Sequence, residues 1–241
     1  GVQTCALPIY KDFYPGSRWV EHAPTKSFRE YNQLMLKGVA PYVAQGHAMY
    51  VQSDSMVHQS NHWLDEFVDY DYIGAPWPNE PEGRNIGNGG FSLRSARFLQ
   101  ACLDTEIQLL EKYQYLQEDA CIGRDFRPLL EQRYDIKFAS TALAQKFCYE
   151  LGAYHDGMAI HGVWNILGFG RRQTAEYYCE RLPWNGWNAD KWHHCINALW
   201  QRQHLDLLDQ ALSKLTANQP GLVTQIINIA IRHNNVVGYT Q

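Results

Sequence analysis

Three acidic side chains and one histidine occupy places where an α/β chain could put them to chemical use. Asp54 follows the β-rich apolar run "AMYVQ" (48–52), Glu118 and Asp119 stand side by side where a helical stretch begins, and His161 lies in "MAIHGVWN" between apolar flanks. An aspartate and a histidine together offer the oxygen and nitrogen donors of a divalent-metal site. A further carboxylate can serve as general base. Each residue also has a purely structural reading. Asp54 can close a turn, Glu118 and Asp119 can favour a helix N-terminus through its dipole, and His161 can be a hydrogen-bonded core histidine. His58 and His62, four apart, form another potential ligand pair, but without a strand-end acid beside them they read as solvated.

The stretch "NIGNGGFSLRS" (85–95) gathers Gly87, Asn88, Gly89 and Gly90 immediately before an alternating apolar-polar run. Glycines let backbone approach a ligand closely or adopt positive φ. A dinucleotide loop is excluded, because Ser92 stands where the third glycine belongs and a strand follows in place of a helix. No G-K-[ST] follows, which excludes a P-loop. Arg94 occupies the last glycine position of a nucleophile elbow, which excludes that frame as well. A bulged turn entering a strand is the structural alternative.

These residues must be positioned by strands and helices in alternation. "AMYVQ", "YIGAP" (72–76), "GFSLRS" (90–95) and "IKFAS" (136–140) read as strands. A helix over about 28–43 opens on the capping box "SFRE" and carries Phe28, Tyr31, Met35, Val39 and Tyr42 on one face. Asn61 caps a short helix over 61–68, Ser95 caps one through about Leu103, and Thr141 starts one over 141–150. Strands alternating with helices imply an α/β layered domain with a largely parallel sheet. After about Arg171 only helical patterns remain, and Trp192, Leu199, Leu205 and Leu208 form an apolar stripe that should pack on the domain. In open α/β sheets ligands bind beyond the carboxyl ends of strands. Asp54, His161, the 118–119 pair and the 87–90 turn are therefore expected to converge on one cleft.

Composition narrows the function classes. The 241 residues carry a net charge of −4 with scattered lysines and arginines, so nucleic acid is not an expected partner. No apolar run reaches the length of a membrane span. Six cysteines without a C-x-x-C pair point to free, mostly buried thiols and a reducing compartment such as the cytoplasm, with a peripheral membrane position left open. Residues 1–9, "GVQTCALPI", match a translated sequencing adapter from Val2 to Ile9 and are set apart from the fold, which implies an N-terminally clipped chain.

Taken together, "YNQLML" (31–36), "YVQSDSMV" (50–57), "FVDYDYIGAPWP" (67–78), "IGNGGFSLRS" (86–95), "EDACI" (118–122), "KFASTALAQKFCYE" (137–150) and "AIHGVWN" (159–165) resemble a bacterial family, domain of unknown function 5672, regarded as GT-A-fold glycosyltransferases. The resemblance covers roughly residues 28–166. It implies a GT-A-like, Rossmann-like mixed sheet flanked by helices over 10–170, incomplete at its N-terminus, with a helical extension over 171–241. It also implies a nucleotide-sugar donor, a glycan or other hydroxyl acceptor, and Mn²⁺ or Mg²⁺. Asp54 maps onto the metal-binding acid, His161 onto a second metal ligand, and Glu118 or Asp119 onto the base of an inverting transfer. Trp77, Gly87, Asn88, Gly89 and Gly90 would border the sugar. The chain departs from the family where Gln52-Ser53-Asp54-Ser55 replaces Q-W-D-G. That departure leaves a rival reading, a non-catalytic carbohydrate-binding or scaffold protein on a degenerate transferase fold.

Overall fold

The structure is a computed structural model that describes residues 23–113, 117–181 and 188–237, with residues 233–237 as backbone only. The adapter-like residues 1–9 lie outside this range. Contacts divide the chain into two compact units, one of residues up to Tyr50 with Asp65–Thr141, the other of Val51–Leu64 with Ala142–Gln241. Residues 142–170 thus share a unit with the helices that follow Arg171.

In the first unit, helix α1 (Phe28–Gln33) begins as its capping box requires, with Ser27 Oγ accepting the Glu30 N–H at 3.2 Å. A π-helical turn, Leu34–Gly38, and a 3-10 turn, Ala40–Tyr42, complete the segment. The extra residue of the π turn rotates the buried face. Asn32, Leu36 and Ala40 point inward, while Phe28 and Tyr42 of the expected stripe are exposed. Strands β1 (His47–Val51), β3 (Tyr72–Gly74) and β4 (Phe91–Ser95) form a sheet in the order β1-β4-β3. Helix α2 (Ala96–Ala101) follows β4 directly, with Ser95 Oγ accepting the Phe98 N–H at 3.0 Å. Helix α3 (Glu118–Ala120) runs through a second π turn, Cys121–Asp125, towards α4 (Arg127–Tyr134). Phe67, Tyr72, Phe91 and Phe98 are fully buried and form the centre of this unit.

In the second unit, β2 (Ser55–Val57), β5 (Cys148–Tyr149) and β6 (Ala159–His161) form another sheet in the order β2-β6-β5. Helix α5 (Thr141–Phe147) leads into β5, and α6 (Val163–Phe169), α7 (Arg172–Arg181), α8 (Ala189–Gln201), α9 (Leu205–Asn218) and α10 (Pro220–Val237) follow β6. Trp192, Leu199 and Leu208 are buried in one cluster with Val163 and Leu167 of α6, so the tail helices pack as the stripe requires. Leu205 is the exception and is about half exposed. Asn188 Oδ1 caps α8 by accepting the Lys191 N–H at 3.0 Å. Its replacement by alanine is expected to lower stability by about 1 kcal/mol, read as a shift in a urea midpoint at constant slope.

The architecture is mixed α/β, but the expectation of a largely parallel sheet is corrected. β3 and β4 pair antiparallel, as do β2 and β6, while β5–β6 and a Tyr72–Phe138 bridge run parallel. The reason is local. Residues 75–90 between β3 and β4 contain no helix, so the chain turns back beside its own strand instead of crossing over. The helix expected over 61–68 is two 3-10 turns, Ser60–His62 and Asp65–Asp69. Among the described residues no helix is long and apolar enough to cross a membrane, and Cys102, Cys121, Cys148, Cys179 and Cys195 are free and buried.

Candidate functional site

The glycine-rich turn answers to its own protein. Tyr72 Oη donates to the Gly87 carbonyl at 2.8 Å and the Asn88 carbonyl at 3.2 Å. Asn88, buried, accepts the Gly90 N–H at 3.0 Å on its own Oδ1, an Asx turn that leads into β4. A Cβ on Gly87 would lie 2.3 Å from the Trp77 ring, so this glycine gives room to Trp77, over which the Arg124 guanidinium sits at 4.3 Å. A Cβ on Gly89 would lie 2.6 Å from Glu118 Oε1 and 2.9 Å from Arg94 Nη2. Gly89 is what allows a carboxylate pair to approach the turn. Gly89→Ala is therefore expected to cost about 1–3 kcal/mol through overpacking, measurable by thermal unfolding.

Glu118 is buried and takes a hydrogen bond of 3.0 Å from Arg94 Nη2. Arg94 is itself 1% exposed and is held by four further groups. Its Nε donates to Ser92 Oγ at 3.0 Å, its Nη1 donates to the Met35 carbonyl at 3.2 Å, and its guanidinium lies 3.8 Å from the Tyr50 ring centre and 5.4 Å from that of Tyr72. Met35 stands in the first π turn, where widened geometry releases carbonyls from the helical ladder. Ser92 Oγ is committed to the Gly89 carbonyl and to Arg94, which leaves it no nucleophilic role.

Asp119 is less enclosed than its neighbour and accepts the Gly89 N–H at 3.0 Å and its own Ala120 N–H at 2.7 Å. Burial and the adjacent Glu118 charge push its carboxyl up to about 7. Those two backbone donors and Arg94 act in the other direction without cancelling the rise. A carboxylate held near neutrality is matched to proton transfer at physiological pH.

The second group lies in the other unit. Strands β2 and β6 pair with Ser55 opposite His161, and the Gly162 N–H donates to the Asp54 carbonyl at 2.8 Å. His161 Nδ1 is 2.9 Å from Ser55 Oγ and 3.6 Å from Asp54 Oδ1, while its Nε2 is 3.7 Å from Glu150 Oε1. Asn165 Nδ2 donates to the carbonyls of Glu150 at 2.8 Å and His161 at 2.5 Å, tying α6 to β6 and to the residue that follows β5. Gly162 has φ of 92°, and a Cβ there would also strike the Trp164 ring at 2.6 Å. Burial holds the His161 imidazole below its ordinary pKa, with Asp54 acting the other way. The ring is thus neutral at pH 7, the form that binds metals or accepts a proton.

The structure accordingly brings Asp54 and His161 together, and separately gathers Glu118, Asp119 and the 87–90 turn. His58 and His62 do not form a pair. The His58 ring packs 6.0 Å from Phe169, and His62 Nδ1 is 3.9 Å from Asp156. Three contributors escaped the sequence reading. Ser55 and Glu150 reach His161 through strand register, and Arg94 reaches Glu118 through burial, relations that no local spacing encodes. Among the described residues no group of three or more His, Cys, Asp and Glu side chains is placed to hold an ion. Asp54, His161 and Ser55 instead make a two- or three-donor set with oxygen and nitrogen atoms.

A family model described as protein of unknown function (DUF5672) matches residues 17–161. No curated protein and no solved structure matches the chain.

Proposed function

We propose that this chain, which belongs to the family of proteins of unknown function DUF5672, is a GT-A-like glycosyltransferase that moves a sugar from a nucleotide-sugar donor to a hydroxyl acceptor. The observation that carries the reading is the Asp54–His161 pair, whose Oδ1 and Nδ1 atoms are 3.6 Å apart on neighbouring segments. Those two side chains, with Ser55, would hold Mn²⁺ or Mg²⁺, which when bound neutralises charge on the departing diphosphate. In such a transfer a carboxylate held near neutrality, the property that Asp119 has, takes the proton from the acceptor hydroxyl as that oxygen bonds to the anomeric carbon. The anomeric carbon–oxygen bond to the diphosphate breaks, and the electron pair leaves with the nucleoside diphosphate. The Gly89 N–H holds Asp119 at the turn, and burial with the neighbouring Glu118 charge keeps its carboxyl basic enough for the task.

The test is direct. Mn²⁺ binding is measured by calorimetry, and nucleoside diphosphate release is followed from a panel of nucleotide sugars with and without the cation. Asp54→Asn is expected to weaken Mn²⁺ binding by about tenfold or more with an unchanged unfolding midpoint. Absence of Mn²⁺ and Mg²⁺ binding in the wild-type chain would remove the metal-dependent reading. The single acid in Gln52-Ser53-Asp54-Ser55 favours the rival, a carbohydrate-binding protein without turnover. Sugar binding that persists with no diphosphate release from any donor would establish that rival instead.

A further inference from the structure

Helices α8, α9 and α10 pack on one another in the second unit and leave a trough of about 470 Å³ between them. Helix α8 lines it from His193 to Trp200, and α10 lines it from Val223 to Ala230. On both helices the lining residues recur at the three- and four-residue spacing of a single face, so the trough follows each axis for about 10 Å.

Its surface is apolar from floor to rim. Leu215 and Ile226 line it and are buried, which makes them the floor. Trp200 on α8 and Ile227 on α10 are 58% and 52% exposed and stand at its edges. Ile231, one turn beyond Ile227 and also half exposed, prolongs the α10 edge along the same line. Water in such a space finds few polar partners, and walls that face a gap forfeit packing contacts. Predominantly apolar clefts of roughly 300–1,000 Å³ are where small molecules bind.

The width of the apolar surface selects the occupant. Outside the edges, Gln201 on α8 and Thr224 and Asn228 on α10 are polar and exposed. A protein partner, a second copy of this chain included, needs about 800 Å² from each side, and a narrow strip with polar banks does not supply it. A flat membrane surface meets the edges without reaching Leu215 and Ile226. A linear hydrocarbon chain fills the length and the depth together. The residues that line the trough include no aspartate or glutamate, so a carboxylate head meets no like charge, whereas a cationic head finds no counter-ion. Asn197 Nδ2 and Thr216 Oγ1 offer that head hydrogen-bond donors.

We infer that the trough binds one linear acyl chain, taken up as a monomeric fatty acid. The inference is independent of the transfer reaction, because none of the proposed transferase groups lines the trough.

The experiment uses the full chain with ω-bromo derivatives of hexanoate, octanoate and decanoate below their micellar concentrations, read by quenching of tryptophan fluorescence. Affinity is expected to rise about fourfold for each added methylene. Trp200→Phe should remove most of the quenching, since it removes the reporter at the edge of the trough. Thr216→Phe and Ala230→Phe, which add bulk to lining positions that are not buried, should each weaken decanoate binding about tenfold or more with unchanged circular dichroism and melting. Asp54→Asn, the variant that tests the transferase reading, should leave the quenching intact, so either reading can fail without the other. Absence of quenching by all three acids overturns the inference. So does an affinity indifferent to chain length, or quenching that survives Trp200→Phe or both bulky variants at the wild-type level. Sedimentation with phosphatidylcholine vesicles, or self-association lost in Thr216→Phe, without uptake of any monomeric acid would assign the trough to a membrane or to a second copy and overturn it as well.

Discussion

Glu118→Ala is expected to lower the unfolding free energy by about 3–5 kcal/mol, because it strands the Arg94 guanidinium in the protein interior. Arg94 is 1% exposed, and Glu118 is the carboxylate that meets it, at 3.0 Å. Ser92 Oγ and the Met35 carbonyl remain as acceptors after the change, but neither carries a formal charge. Converting both partners, as Glu118→Leu with Arg94→Met, should recover most of the loss, since an apolar pair of similar volume avoids the desolvation of both ions. Urea unfolding of the two single variants and the double variant gives the coupling energy directly. A loss below about 1 kcal/mol for Glu118→Ala would place the pair in the class of solvent-screened ion pairs. Removal of the Glu118 charge should also lower the Asp119 titration, which is followed through its carboxyl carbon by NMR.

On the proposed reaction, Asp119→Asn should reduce sugar transfer by about 10²–10⁴-fold, the usual worth of a positioned general base. The same substitution should raise stability above about pH 7. The folded carboxyl is pushed up to about 7 by burial and by Glu118, whereas in the unfolded chain it titrates near 4. Between those values the folded form keeps a proton that the unfolded form has lost, so stability falls as pH rises through that window. Asparagine carries no such proton, and the variant should show a flatter stability profile between about pH 4 and pH 8. The proposed transfer should run opposite to stability, rising through an apparent pKa near 7 that belongs to the carboxylate pair as a unit. A variant that keeps full turnover would transfer the proton-abstracting role away from Asp119.

Local chemistry made several parts of this molecule legible from its residues. Ser27 and Ser95 cap helices where their spacing indicates, and the helical pattern after Arg171 with its buried Trp192 is present. The nearness of Asp54 and His161 follows from their places at strand ends and from the family resemblance together, and their Oδ1 and Nδ1 atoms are 3.6 Å apart. What was not legible depends on pairing across the chain. The direction of β4 against β3 is decided by a helix-free loop, the stripe on α1 is rotated by a π turn, and Glu150 meets His161 only because β5 lies beside β6. The glycines were read as space for a ligand, yet Gly87 and Gly89 accommodate Trp77 and the Glu118–Arg94 pair. Spacing shows that a close approach is needed without showing what approaches.

The pairing of Ser55 with His161 joins residues 106 positions apart. Closing a span of that length costs roughly 4 kcal/mol of chain entropy, and it sets an order of events during synthesis. Residues up to Tyr50 and from Asp65 to Thr141 can settle into the first unit while the ribosome is still translating. The segment Val51–Leu64 emerges early but must wait until β6 has been made before it finds its partner strand. For that interval β2 is an unpaired strand edge on a nascent chain, the kind of surface that invites pairing with other chains. Slow translation between about residues 142 and 161 would prolong this exposure, so the yield of folded protein should respond to synonymous codon changes there more than to the same changes within the tail helices.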